Sequence, residues 1–201
     1  MDKLKYMAEV KMINGHEYVD LGLPSGLKWA TCNVGASSSE GYGNYYAWGE
    51  IEIKSEYSGT NSKTEGKSMQ DISENSTYDV ARSKWGGSWR LPTKKELEEL
   101  KNNCKWEWTT QNGKQGYKVT GPNGKKGFKV TGPNGNSIFL PAAGYRLGSS
   151  LYLAGEDGYY WSSTPLEGDG VYAYGLYFYS SYHNVYWSIR DDGRSVRPVS
   201  E

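Results

Sequence analysis

Tyrosine crowds one short stretch of this chain and limits what it can fold into. Tyr172, Tyr174, Tyr177, Tyr179, Tyr182 and Tyr186 lie within residues 171–187, with Phe178 and Trp187 among them. Leu176 and Phe178 alternate with Tyr177 and Tyr179, the period-2 pattern of a strand with one buried face. Val171 and Ala173 alternate out of step with Leu176, which predicts a bulge at Gly175. A polar turn over 180–184, with His183 inside it, leads into a second strand, Val185-Tyr-Trp-Ser-Ile189. Asp192-Gly193 then predicts a two-residue hairpin that returns the chain through Ser195-Val-Arg-Pro-Val199.

One hairpin cannot bury this much aromatic surface. Cross-strand stacking accounts for part of it, but Tyr177, Tyr179, Tyr186 and Ser188 alternate with the apolar set and are expected to face outward. Tyrosine offers large, rigid contact area with a hydroxyl handle, so a contiguous outward set reads as a recognition surface. The last lysine is Lys129, and residues 168–200 contain neither Lys nor Glu. Immobilising long charged side chains costs entropy, so their absence suits an interface.

At 201 residues the chain is read as one domain. Its 23 basic and 23 acidic residues balance, which argues against nucleic-acid or membrane-surface binding. The 26 glycines and 18 tyrosines suggest many short strands joined by loops. No apolar run reaches the length of a membrane span, and Met1-Asp-Lys-Leu-Lys-Tyr lacks the apolar core of a signal peptide. Either an export signal has been removed from this chain or the protein uses none. Cys32 and Cys104 have no metal or redox spacing. A disulfide between them stays open, with two small buried apolar side chains the simpler expectation.

Residues 17–34 predict two short strands around a Pro24-Ser25-Gly26 turn, and the polar stretch 54–76 predicts a long loop. A first helix is expected over 78–85, capped by Thr77 and stopped by Gly86-Gly87. A second is expected within Leu91-Pro-Thr-Lys-Lys-Glu-Leu-Glu-Glu-Leu100, where Thr93 and Glu96 form a capping box and Leu97 and Leu100 a buried stripe. An eleven-residue unit then repeats in tandem over 114–135, each copy a short strand followed by Gly-Pro-Asn-Gly. Two units are too few for a solenoid, so the repeat is expected to extend one hairpin outward. Ser137-Ile-Phe-Leu-Pro-Ala-Ala-Gly144 resumes a core strand.

Catalysis has little support. His16 and His183 lack the spacing of a metal site or nucleophile motif. Glu167-Gly-Asp-Gly has calcium-type ligands without the ligand count, and reads as a solvated loop. Neither an enzymatic activity, a metal nor a cofactor is expected.

Four segments, Tyr18-Val-Asp-Leu-Gly-Leu-Pro-Ser-Gly-Leu-Lys-Trp-Ala-Thr-Cys-Asn-Val-Gly35, Trp89-Arg-Leu-Pro-Thr93, Gly158-Tyr-Tyr-Trp-Ser-Ser-Thr164 and Gly193-Arg-Ser-Val-Arg-Pro-Val199, together resemble a family of paralogous surface proteins from gut Bacteroidetes and their phages. Many members are variable proteins of diversity-generating retroelements, related in fold to the major tropism determinant of a phage. The resemblance spans nearly the whole chain. It implies an α+β, C-type-lectin-like fold, shared with formylglycine-generating enzymes, with two helices and several small, mostly antiparallel sheets over residues 1–201. The repeat at 114–135 would be an insertion, and 158–199 the candidate variable region.

In the retroelement members, adenine-directed mutagenesis diversifies the ligand surface. By position, the fixed framework would be Trp161, Ser162, Ser163, Leu176, Phe178, Val185, Arg190, Gly193 and Ser195 to Val199. The diversified, ligand-binding set would come from Gly175, Tyr177, Tyr179, Tyr182, Tyr186, Ser188, Ile189, Asp191, Asp192 and Arg194, all reachable from an Asn-type codon by changes at adenine. Trp187 is not reachable in that way. The implied function is non-catalytic recognition of a protein or glycan receptor on a cell surface, by a protein displayed on a bacterial surface or a phage virion. The catalytic cysteine pair of formylglycine-generating enzymes and the calcium motifs of sugar-binding lectins are missing from the sequence. The alternatives are a fixed-specificity adhesin, a pilus-tip structural subunit or a carbohydrate-binding module.

Overall fold

Short strands and tight turns make up most of the regular structure in the computed structural model, which describes residues 11–121 and 137–201. In chain order the elements are β1 (Met12–Ile13), β2 (His16–Asp20), β3 (Lys28–Ala30), α1 (Val80–Trp85), α2 (Lys94–Asn103), β4 (Lys105–Gln111) and β5 (Lys114–Thr120). They continue through β6 (Ser137–Pro141), β7 (Tyr145–Leu147), β8 (Ser150–Tyr152), β9 (Gly158–Pro165), β10 (Tyr172–Tyr179), β11 (Tyr182–Ile189) and β12 (Val199–Ser200). The strands form four small sheets, ordered β1-β2-β3-β12, β11-β10-β9, β4-β5-β6 and β7-β8. Every strand pair is antiparallel. The fold class is therefore α+β, with two helices and several small antiparallel sheets.

Local chemistry explains most of these elements. Asn14-Gly15 and Asn112-Gly113 both take positive φ at both residues, as a type I′ turn requires, and each closes a hairpin. The Thr93–Glu96 capping box forms as the sequence predicts. The Thr93 hydroxyl accepts from the Glu96 N–H at 3.3 Å, and the Glu96 carboxylate accepts from the Thr93 N–H at 2.8 Å. Leu97 and Leu100 are buried below it. The first helix differs from expectation, for it starts at Val80 and its cap is Asp79, not Thr77. One carboxylate oxygen of Asp79 accepts from Ala81 and Arg82, the other from Glu74 and Leu91. A hydroxyl could not satisfy so many donors at once.

The expected strands around Pro24 are β2 and β3, in register at Tyr18 and Ala30. Residues 54–76 hold only a single 3-10 turn, Gly59–Asn61, yet Thr64 and Ile72 within them are buried. The first repeat copy supplies β5, the middle strand of its sheet, with Tyr117 and Val119 in the core. It is thus integral to the fold rather than a decoration. The second copy, with its strand near 128–131, and the Gly-Pro-Asn-Gly turns beyond Gly121 lie outside the described residues. Core strand β6 lies where the sequence predicts it, with Ile138, Phe139 and Leu140 buried.

Two core clusters lie on either side of β9. Leu97 and Leu100 of α2 pack with Leu176, Phe178, Tyr160, Trp29 and Leu140. Trp48, Trp89, Trp161 and Val196 form the centre of the other. Helix α2 packs against one face of the β9–β10–β11 sheet, while Tyr159, Tyr177 and Tyr179 project from the other, where Trp161 is also buried. Cys32 and Cys104 are both free. Among the described residues no helix is long and apolar enough to cross a membrane.

Candidate ligand-binding surface

Antiparallel pairing places directly opposed residues on one face of a sheet, and here it assembles the tyrosines. Tyr177 lies opposite Tyr159 on one side and Asn184 on the other, and Tyr179 lies opposite Tyr182. Ring centroids are 4.9 Å apart for Tyr159–Tyr177, 5.9 Å for Tyr177–Tyr179 and 5.4 Å for Tyr179–Tyr182. The row continues away from β10, with Tyr159 on Tyr145 at 4.9 Å and Tyr145 on Tyr152 at 5.6 Å. Six tyrosines therefore form a continuous band from the β7–β8 hairpin to the β10–β11 turn.

Asp157 organises the middle of the band. Its Oδ2 accepts from the Tyr177 hydroxyl at 3.0 Å and the Tyr159 hydroxyl at 3.2 Å. Burial, then the hydrogen bond to Asp157, pushes the Tyr177 hydroxyl up to about 12. Burial and the Asp157 charge raise Tyr159 as well. Both hydroxyls stay protonated, so they act as fixed donors and hold their rings in place. Tyr179 and Tyr182, the outer members, are freer at 37 and 40 % exposure, and Tyr186, stacked on Trp187 outside the band, is 53 % exposed, enough for direct contact with a partner.

Part of the surface is not legible from the C-terminal stretch. Leu147, Leu151, Tyr152 and Leu153, on and beside the β7–β8 hairpin, are all exposed. With Tyr145 they extend the tyrosine band as an apolar flank. The available signal was the run Leu151-Tyr-Leu153, since a half-buried strand alternates polarity instead of presenting three large apolar residues in succession.

The ten residues expected to contact ligand divide by placement. Tyr179, Tyr182, Tyr186 and Ile189 are exposed, while Tyr177, Ser188 and Asp192 are half-buried. Gly175, Asp191 and Arg194 are buried. Gly175 sits at the register shift between β10 and β9, where the period slip predicted a bulge. A Cβ there would stand 2.4 Å from the Tyr160 carbonyl oxygen, so the position serves strand packing and offers no contact. Arg194 packs its guanidinium over Tyr159 and Trp161, at 5.0 and 4.6 Å, and donates to Asp192 at 2.8 Å.

Two grooves border the band. One, of about 490 Å³, runs between Tyr145, Tyr159, Ile189, Asp191, Arg194 and Glu65. The other, of about 400 Å³, lies by Trp108, Gln115, Asp157, Tyr177 and Tyr179. A larger recess of about 650 Å³, lined by Glu17, Thr31 and Lys118, involves none of these tyrosines.

The residues expected to form a fixed framework lie inward. Trp161, Ser162, Ser163, Leu176, Phe178, Arg190 and Ser195 to Val199 are buried, and Val185 is half-buried. Arg190 donates to the carbonyls of Tyr172, Thr64, Lys67 and Asp169 and stacks over Trp48. Asp169 therefore belongs to an anchored turn, not a freely solvated loop, and its side chain also accepts from Val171 and Tyr172.

Two expectations for this region are corrected. Asp192-Gly193 forms no hairpin, because Gly193 bridges Arg146 and Ser195 bridges Tyr160 at the other edge of the sheet. Neither residue of the pair has positive φ. Gly193 is needed for close approach instead, since a Cβ would lie 2.6 Å from the Tyr57 ring. The turn after β10 is also tighter than expected, with β11 already beginning at Tyr182. His183 consequently sits inside β11, opposite Phe178, stacked on Trp106 at 4.4 Å. Burial lowers its pKa, which suits a neutral packing ring. His16 likewise stacks on Trp85 at 3.7 Å.

Residues 97–199, just over half of the chain, match the model of a family described as a domain of unknown function, DUF8237. The chain belongs to the DUF8237 family. The matched span begins within α2 and takes in the tyrosine sheet, the β7–β8 hairpin and the buried tail, so every part of the band lies inside the DUF8237 region. Glu65, in the wall of the 490 Å³ groove, lies outside it. No curated protein and no solved structure matches the chain.

Proposed function

We propose that this DUF8237 protein is a non-catalytic receptor-recognition protein whose tyrosine band binds a protein or glycan on a cell surface. The observation that carries this reading is the continuous row of Tyr152, Tyr145, Tyr159, Tyr177, Tyr179 and Tyr182, which runs from the β7–β8 hairpin onto the β9–β10–β11 sheet and ends in exposed rings. Rigid aromatics on strands lose little entropy on binding, and two lateral grooves give a partner's side chains somewhere to enter. The half-buried acceptor Asp157 fixes the central rings beforehand.

We further propose that the fold is C-type-lectin-like and that a retroelement diversifies the surface. Support comes from the two helices with small antiparallel sheets, and from the exposure of Tyr179, Tyr182, Tyr186 and Ile189 beside the buried Leu176 and Phe178. Diversification requires a reverse transcriptase gene nearby and a near-copy of the 3′ coding end that differs at adenines. Sequencing the neighbouring DNA tests this, and an intact locus without either element would reduce the proposal to a fixed-specificity binder.

The recognition reading is tested by screening the protein against arrays of glycans and surface-exposed proteins, alongside a variant carrying Tyr179→Ser, Tyr182→Ser and Tyr186→Ser. The expected result is one or more specific signals that vanish in the folded variant. Signals that persist unchanged in the variant would move recognition to another face.

A further inference from the structure

The groove beside Arg194 has an unusual charge arrangement. Three carboxylates, Glu65, Asp191 and Asp192, line it together with one cation, Arg194. Asp192 is already paired with Arg194 at 2.8 Å. Two more cations lie close behind, and both have other partners. Arg190 gives its donors to backbone carbonyls, and Lys54 binds Glu50 and Asn61 at 2.9–3.0 Å. Glu65 Oε2 and Asp191 Oδ1 are buried with no hydrogen-bond partner among the described residues. Asp191 is only 8 % exposed, so water supplies little compensation from outside. Buried carboxylate oxygens normally find donors, and leaving them without is costly.

The walls narrow the choice of donor. Tyr145 and Tyr159 present ring surface, and Leu147 and Ile189 present apolar surface. Aromatic faces and paired carboxylates together favour an organic cation on an apolar stem. A metal ion is disfavoured, since among the described residues no three potential metal ligands converge. Tyr145 and Tyr159 also belong to the tyrosine band, so a side chain entering the groove would come from whatever lies on that band.

We infer that this groove receives an arginine or lysine side chain from the protein partner that docks on the tyrosine band, its charge held between Glu65 and Asp191. The inference rests on the recognition reading above and narrows it to a protein with an exposed basic residue beside apolar ones. The partner's cation supplies the missing donors, while its aliphatic stem lies against Leu147 and Ile189.

The test uses N-acetyl-arginine amide and N-acetyl-lysine amide as probes, with the uncharged N-acetyl-citrulline amide as control, followed by NMR on the intact chain. The basic amides are expected to perturb resonances of Ile189, Asp191 and Tyr159, and the citrulline derivative to do so far less. Glu65→Gln or Asp191→Asn should weaken the basic probes by about tenfold, the loss expected for one charge-assisted hydrogen bond. Both substitutions keep side-chain shape and remove a repulsion, and should fold. If one does not, the other decides. Equal perturbation by the citrulline derivative, unchanged affinity in the folded variants, or no perturbation at all would overturn the inference. A receptor that binds the tyrosine band but is indifferent to Glu65→Gln and Asp191→Asn would defeat the inference and leave the recognition reading intact. Basic probes that bind while the array signals ignore the tyrosine substitutions would leave a cation-binding groove but overturn both the recognition reading and the docking of a partner on the band.

Discussion

The β10–β11 pair and the tail at 190–199 are neighbours in sequence, and they treat polarity in opposite ways. On the strands, the large aromatic residues Tyr179, Tyr182 and Tyr186 stand in solvent. In the tail, Arg190 and Arg197 are buried at 0 and 1 % exposure, deeper than most of the leucines. The difference lies in what each segment must satisfy. Strand backbones bond to one another, so their outward side chains are free for other uses. Around the tail, carbonyls of the loops at 64–67 and 169 and of the strands β3, β6 and β10 turn toward it, and a buried carbonyl needs a donor. Arg190 serves Thr64, Lys67, Asp169 and Tyr172, while Arg197 serves Ala30, Phe139 and the side chain of Asn33. Arginine, with five N–H donors in a rigid fork, ties several chain segments together at once. In this chain the charged tail is scaffold and the aromatic strands are surface.

The largest expected effect breaks the tail. Arg197→Met or Arg190→Met strands several buried carbonyls and should cost about 3–5 kcal/mol, the range for removing one partner of a buried charged network. Urea unfolding measures this, and a loss well under 1 kcal/mol would show that water replaces the guanidinium. Next comes Gly175→Ala, whose Cβ would meet the Tyr160 carbonyl at 2.4 Å. The resulting overpacking should cost about 1–3 kcal/mol by the same assay. Each of Tyr179→Ser, Tyr182→Ser and Tyr186→Ser should cost about 1 kcal/mol or less, because exposed rings lose only a neighbour contact. A cooperative loss of structure from any one of them would contradict the separation of surface from scaffold.

The smallest effect concerns pH. Burial raises the pKa of Asp191, helped by Asp192, and burial raises Glu65, helped by Asp191. A carboxyl whose pKa is higher in the folded than in the unfolded chain contributes stability below the unfolded value. That contribution disappears as pH rises through the folded value. Glu65→Gln and Asp191→Asn should therefore gain in melting temperature relative to the parent chain near neutral pH, and the gain should vanish as the solution is acidified. Arg190, Arg194 and Lys54 lower one or both values and keep the effect modest. A gain independent of pH would point to packing in place of charge.

What could be read in advance follows the range of the interactions involved. The capping box at Thr93 and Glu96, the alternation of Leu176 and Phe178 with Tyr177 and Tyr179, and the slip at Gly175 are local signals, and each has its counterpart in the structure. Asp192-Gly193 resembled the Asn-Gly pairs at 14–15 and 112–113, but only those two close hairpins. Gly193 is drawn instead to Arg146 and Tyr57, partners distant in sequence that no local rule contains. Thr77 lost the cap of α1 to Asp79 for a similar reason, since one of the donors Asp79 satisfies is Leu91 beyond the helix. The exposure of Tyr179 and Tyr186 was legible from the alternation, whereas Tyr177, expected outward, is half-buried under its neighbours. Tyr145, Tyr152 and Glu65 were not legible as part of the surface, because tertiary packing brings them to it.

The most direct measurement of the division between surface and scaffold is hydroxyl-radical footprinting of the tyrosines in the free protein. Tyr179, Tyr182 and Tyr186 should be modified far faster than Tyr57 and Tyr160, which are buried at 2 and 1 % exposure. Protection of the first three to the level of the last two would contradict the account.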